Sequence, residues 1–182
     1  MIKLILCLLV LVFALTMSIC LILLMLSPIV SGFKRAPYVP SFNYHLKLMK
    51  EKLKLRKWAK LIDLWCGDGK ALRFFSKTFE TIGEGYEINP FVSRFGKILN
   101  RFTWYRNIKI IRSNFKKAKL EKYDYIYMYL FPNQLASIED RVFEHIRKDA
   151  IIISNSFKFV KHEPYEIIYR EGKKEVIRLY RK

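Results

Sequence analysis

The sequence predicts an α/β protein: a mostly parallel sheet flanked by helices and closed by an antiparallel hairpin, with one transmembrane helix in front of it. Three observations carry this. Residues 4–26 form an uncharged run of mostly Leu, Ile, Val, Met and Phe. From Lys60 onward, short apolar runs alternate with helix-length amphipathic stretches, the pattern of βαβ units. Near the end, two short alternating segments at 166–170 and 175–180 flank Gly172 and read as a hairpin. A chain of 182 residues has room for one domain and one appendage, divided as 1–32 and 33–182.

The appendage comes first. About 20 apolar helical residues cross a bilayer's hydrocarbon core, and residues 4–26 supply them. A cleaved signal peptide has an apolar region of about 7–15 residues, and Ser27-Pro-Ile-Val-Ser-Gly32 is a poor small-x-small cleavage site. Cys20 follows Ile19 instead of a small residue, which argues against lipidation. Lys3 stands alone before the run, while Lys34, Arg35, Lys47 and Lys50 follow it. The positive-inside bias then gives a single-pass protein of the cell (inner) membrane with its domain on the cytoplasmic side.

Pro28, Gly32, Pro37 and Pro40 mark residues 27–41 as the linker off the membrane. Residues 44–58 read as a basic amphipathic helix, with Leu46, Met49 and Leu53 at helical spacing. Leu61, Ile62 and Leu64 make a buried strand ending near Asp63, and 71–75 start a helix. Strand two spans 82–88. Asn89 and Pro90 then supply an N-cap and a first-turn proline for a helix over 90–102. Strand three covers 107–113 and strand four 123–130, where Tyr123, Tyr125, Tyr127 and Tyr129 are expected on one packed face. A helix over 134–147 and a nearly continuous apolar strand over 150–157 precede the hairpin. The sequence shows no internal repeat and no low-complexity tract.

The chemistry gathers at Asp63-Leu-Trp-Cys-Gly-Asp-Gly69, between the first strand and its helix. A strand, a glycine turn and a helix N-terminus form the corner that cradles phosphates and nucleosides in α/β sheets. The spacing fits Asp-x-Gly-x-Gly-x-Gly, the S-adenosylmethionine loop of class I methyltransferases, better than Gly-x-Gly-x-x-Gly or a P-loop. Trp65 occupies the first glycine position. Glu87 ends strand two, where an acid accepts ribose hydroxyls; the bland reading is a solvated strand-end carboxylate.

Pro37-Tyr-Val-Pro-Ser41, the loop at 63–69, Gly85-Tyr-Glu-Ile-Asn-Pro90 and Leu130-Phe-Pro-Asn133 recur in this order in one family. On these residues, over about 34–160, the chain resembles the small membrane-tethered protein-lysine methyltransferases. These modify the mitochondrial adenine nucleotide carrier and the ATP synthase c-subunit, and they have bacterial relatives. The resemblance implies a Rossmann-like class I methyltransferase sheet, S-adenosyl-L-methionine as cofactor, and methyl transfer to a lysine amine of a protein, with membrane proteins among the candidate substrates. It implies that Asp63, Trp65, Gly67, Asp68 and Gly69 form the cofactor loop, with Glu87 on the ribose. Asn114 stands where the family carries Asp, and it either meets the adenine amino group or simply forms a turn. Tyr38, Pro132 and Asn133 are candidate walls of the substrate channel by position, and no general base stands out. Asp/Asn-Pro-Pro-Tyr/Phe, common in base methyltransferases, is missing after strand four.

The net charge of +18 lies outside the apolar run and suits anionic lipid headgroups or RNA phosphates. No Arg-Gly repeat or zinc knuckle favours RNA. Two of the three cysteines, Cys7 and Cys20, sit in the span, and no Cys/His cluster has metal-ligand spacing. Two other classes stay open: an RNA or small-molecule methyltransferase on the same fold, or an inactive cofactor-binding protein with Trp65 filling the site.

Overall fold

The computed structural model describes residues 2–30, 41–170, 172 and 175–182. It divides into two units, Met1–Pro37 and Tyr38–Lys182. The first contains α1 (Ile2–Val30), and its stretch Lys3–Ile22 is long and apolar enough to cross a membrane. Thr16 and Ser18 donate their hydroxyls to the carbonyls of Phe13 and Ala14, so these polar groups are satisfied within the helix. The helix runs to Val30, past the expected linker start at Ser27. A proline near a helix end removes one N–H without stopping the chain at once. The expected 32/33 boundary lies outside the described residues.

The second unit is a seven-stranded sheet. Its strands are β1 (Lys60–Asp63), β2 (Ile82–Glu87), β3 (Ile108–Arg112), β4 (Tyr125–Met128), β5 (Ile151–Asn155), β6 (Glu166–Tyr169) and β7 (Glu175–Tyr180), in the order β3-β2-β1-β4-β5-β7-β6. The first five run parallel, and β7 pairs antiparallel with both β5 and β6. The direction of winding reverses between β1 and β4, the switch point where open sheets bind ligands. Helices α2 (Asn43–Lys52), α3 (Lys70–Phe79), α4 (Pro90–Phe102) and α5 (Pro132–His145) accompany the sheet.

Alternation across the sheet builds two cores. Tyr125 and Tyr127 of β4 join Leu46, Met49, Leu72 and Phe75, while Ile126 and Met128 join Leu135, Ile138 and Val142 of α5. Tyr129 packs with Tyr125 and Tyr127 as expected. Tyr123 does not: it lies in the α5-side core, because it precedes the strand and caps a 3-10 turn.

The helix expected over 44–58 stops at Lys52. Beyond it the chain is extended at Leu53, Leu53 and Leu55 reach the α2-side core, and the Arg56 amide donates to the Tyr125 hydroxyl. Asn89 caps α4 as expected, accepting from the amides of Phe91 and Val92. Helix α5 begins two residues earlier than expected, with Pro132 in its first turn and the Gln134 side chain accepting from the Phe131 amide. One buried carboxylate ties the β5–β6 connection to α5. Glu139 accepts from the amides of Val160, Lys161 and His162 and pairs with the His162 ring, itself stacked on Phe143.

Candidate functional site

The loop after β1 is held almost atom by atom. Leu64 donates its amide to the Tyr127 carbonyl, Trp65 to the Asp63 carboxylate and Cys66 to the Tyr86 carbonyl. The Gly67 amide donates to Glu87 Oε2 at 3.1 Å, and the Asn89 amide to Oε1 at 2.6 Å. Glu87 therefore joins the ends of β1 and β2. Gly67 (φ 55) and Gly69 (φ 83) take left-handed backbone that a Cβ disfavours. Two further glycines admit close approach: a Cβ on Gly85 would stand 2.5 Å from Cys66 Sγ, and one on Gly96 2.5 Å from the Asp68 carbonyl oxygen.

Asp68 braces the loop from outside. Its carboxylate pairs with Arg73 at 2.7 Å and accepts from the Lys70 amide. Arg73 also donates to the Asp68 carbonyl and to Asn100 of α4. Asp63 is buried under the loop, and burial, with Glu87 and Asp68 adding to it against the Trp65 amide bond, pushes its carboxyl up to about 7. Burial also raises Glu87 above the usual carboxylate range, although its amide bonds pull it down. Burial and the same three acids push the Cys66 thiol well up, so it is no nucleophile here.

Trp65 is half-buried and packs against the α5-side core. Its ring meets that of Phe115 at 5.5 Å between centroids. Asn114, immediately before Phe115, accepts from the Lys116 amide and so caps a 3-10 turn. Pro132 and Asn133 lie exposed in the first turn of α5, just past the carboxyl end of β4. Tyr38 lies outside the described residues; the chain that follows it is pinned at Ser41, whose carbonyl accepts from Lys70 Nζ at 2.7 Å. The Ser41 hydroxyl meets the Tyr127 hydroxyl, which also accepts from Asn155. The sequence-predicted residues Asp63, Trp65, Gly67, Asp68, Gly69 and Glu87 thus share one corner, with Asn114 joined through Phe115.

Sequence reasoning missed an aromatic rim at the carboxyl end of β4. Tyr129 and Phe131 each contact Phe157, and Tyr129 also faces His45, which touches Phe42 and Tyr44. His45 is buried, and its Nδ1 has no hydrogen-bond partner among the described residues. Burial, with Arg170 nearby, lowers it to about 4, so the ring is neutral at physiological pH. Tyr129 closes the tyrosine alternation of 123–129, but His45 and Phe157, which complete the rim, are distant from it in sequence. Among the described residues, no group of three His, Cys, Asp or Glu could hold a metal ion.

A seven-stranded sheet in this order, with a glycine loop at the switch point and an acid ending β2, defines a class I methyltransferase fold. A family model described as the ANTKMT methyltransferase domain matches residues 63–166, and the chain belongs to that family. A search of curated proteins gave no match. Among solved structures, an RNA methyltransferase from Salinibacter ruber in complex with S-adenosyl-L-homocysteine is 19% identical with TM-score 0.72, covering 79% of this chain and 93% of its own. A SAM-dependent methyltransferase from Geobacter sulfurreducens, in the same complex, is 14% identical with TM-score 0.58, covering 72% and 53%. One from Thiobacillus denitrificans, likewise in that complex, is 16% identical with TM-score 0.57, covering 74% and 57%. At such identities the likeness is one of fold.

Proposed function

We propose that this chain is an S-adenosylmethionine-dependent methyltransferase, anchored in a membrane by α1, that methylates a lysine amine of a protein. The observation that carries the cofactor reading is the Glu87–Gly67 bond above a buried Asp63. Two buried carboxylates raised by desolvation suit a ligand that brings an ammonium and vicinal hydroxyls. Asp63 would face the cofactor's amino-acid end and Glu87 its ribose. Asp68 would hold the loop through Arg73, and Asn114 would border the adenine. When bound, S-adenosylmethionine supplies the methyl group.

The rest falls to this chain's own residues. A lysine amine has a pKa of about 10.4 in water and must arrive neutral, which burial favours. The aromatic rim of Tyr129, Phe131 and Phe157, with Pro132 and Asn133 beside it, would strip water from that amine and aim it. Tyr38 is proposed as a further wall. No side chain is assigned as base, and the proton leaves to solvent. The length of the α1 apolar stretch supports a single-pass protein of the inner membrane, and the basic residues after it support a cytoplasmic domain.

RNA is the second reading, favoured by the charge of +18. The full chain, incubated with S-adenosylmethionine and membranes from cells lacking its gene, should add methyl groups to lysines found by peptide mass spectrometry. Incorporation into RNA alone would overturn the lysine reading, and none into any fraction would overturn the enzyme.

A further inference from the structure

Helix α4 is inside out. The residues it buries are Ser93, Gly96 and Asn100, small or polar groups at spacings of three and four. Its opposite face carries Phe91, Phe95, Ile98 and Phe102 at spacings of four, three and four, all exposed. Gly96 sits inward because any side chain there would strike the Asp68 carbonyl of the loop, so the helix cannot turn its aromatic face to the core. Trp104 follows in the turn after α4 with φ 59 and lines one groove together with Phe102; it is 76% exposed and Phe102 77%. Soluble surfaces rarely expose so continuous an apolar stripe without a partner.

The charge around the stripe names the partner. Between residues 88 and 120 there are nine Lys or Arg and no Asp or Glu. Arg94, Lys97 and Arg101 run along one flank of the aromatic stripe by the same helical spacing. A groove between the end of α4 and the edge strand β3 is lined by Lys97, Arg101 and Arg106, with the Arg106 guanidinium over the Trp104 ring. An apolar face of Phe, Ile and Trp bordered by cations on one side is the composition of a helix lying in a membrane interface. The same chain carries a helix able to cross a bilayer. We propose that the α4 face, Phe91 to Trp104, lies on an anionic lipid surface as a second membrane contact of this protein.

The test is quenching of Trp104 fluorescence by phospholipids brominated on their acyl chains. The full chain is mixed with vesicles of phosphatidylcholine with or without phosphatidylglycerol, and the Trp104 signal is the difference between wild type and Trp104→Phe. Attachment through α1 is common to wild type and to the α4 variants, so a loss of Trp104 quenching in Phe95→Ser/Phe102→Ser reads the α4 face. The expected result is quenching several-fold stronger in the anionic vesicles, lost in Phe95→Ser/Phe102→Ser and weakened in Arg94→Gln/Lys97→Gln. Both pairs are exposed, so circular dichroism should show an unchanged fold. Equal Trp104 emission with brominated and plain lipid would overturn the proposal. So would Trp104 protection by a single-stranded RNA with no lipid quenching, which would make the face an RNA platform.

Discussion

The Glu87 carboxylate accepts the Gly67 amide at 3.1 Å across the ends of β2 and β1. This one bond joins the two motifs that the sequence shows 20 positions apart, and it fixes the glycine loop over the switch point. Replacing Glu87 with Ala removes it together with the Asn89 amide bond. Loss of a hydrogen bond to a charged group costs about 1.5–3 kcal/mol, which is roughly 10- to 150-fold in affinity if the ribose shares the carboxylate. Calorimetry of S-adenosylhomocysteine binding to the detergent-solubilised chain measures it. A folded Glu87→Ala protein with wild-type affinity removes Glu87 from the site.

Asp63 gives the site a pH dependence. Its carboxyl is raised from 3.8 to about 7 in the folded chain, so the folded state holds a proton that the unfolded chain gives up more readily. Its contribution to stability is therefore greatest below pH ~4, declines as pH rises through about 4 to 7, and stays low above that. A bound ammonium prefers the ionised carboxylate, so cofactor affinity should rise over the upper part of the same window. Asp63→Asn should flatten both trends. Melting temperature and affinity of wild type and variant, followed from pH 5 to 8, supply the comparison. Parallel curves would show that Asp63 titrates outside this range.

The glycines of β2 make a paired prediction about packing. A Cβ at Gly85 meets Cys66 Cβ at 2.5 Å and Leu72 Cδ1 at 2.7 Å, with the loop directly behind. At Gly83 the one tight contact of a Cβ is the end of Leu72, at 3.1 Å, with Leu72 Cβ at 3.7 Å and Ile108 Cγ1 at 3.8 Å in ordinary contact. Gly85→Ala should cost about 1–3 kcal/mol, as overpacking does, and weaken the cofactor by displacing Cys66 and Gly67. Gly83→Ala should fall well below that. Chemical denaturation and calorimetry on the two variants test the difference, and equal effects would show that the loop yields freely.

What was legible in the sequence was local. The cap Asn89-Pro90, the left-handed glycines at 67 and 69 and the acid at 87 each act on neighbours within a few residues, so turn chemistry exposes them. The end of α2 is settled by Leu53 and Leu55 reaching the sheet, which helix propensity does not register. Lys70 on Ser41, Arg73 on Asn100 and Asn155 on Tyr127 join ordinary residue types 27 to 29 positions apart, and no spacing announces them. Asn89 and Pro90 mark where α4 starts, but a cap does not say which side of the helix faces inward. There the small Gly96 decided against the aromatic stripe.

Trp65 separates an active enzyme from a blocked one. It stands at the first glycine of the loop pattern, where the amino-acid portion of the proposed cofactor would approach the backbone, so its indole must either leave that space or fill it. The ring rests against Phe115 and the α5-side core, and the backbone keeps its amide on Asp63. An indole held by such a partner needs no room above Gly67 and Gly69. Wild type is therefore expected to bind S-adenosylhomocysteine. Trp65→Gly should keep that affinity within about threefold, which is less than 1 kcal/mol. The variant should lose stability through the missing ring contact, by less than the roughly 3–5 kcal/mol of a fully buried aromatic. Calorimetry and denaturant melts on both proteins separate the two effects. If wild type fails to bind while Trp65→Gly binds tightly, the indole occupies the site and this fold carries no methyl transfer.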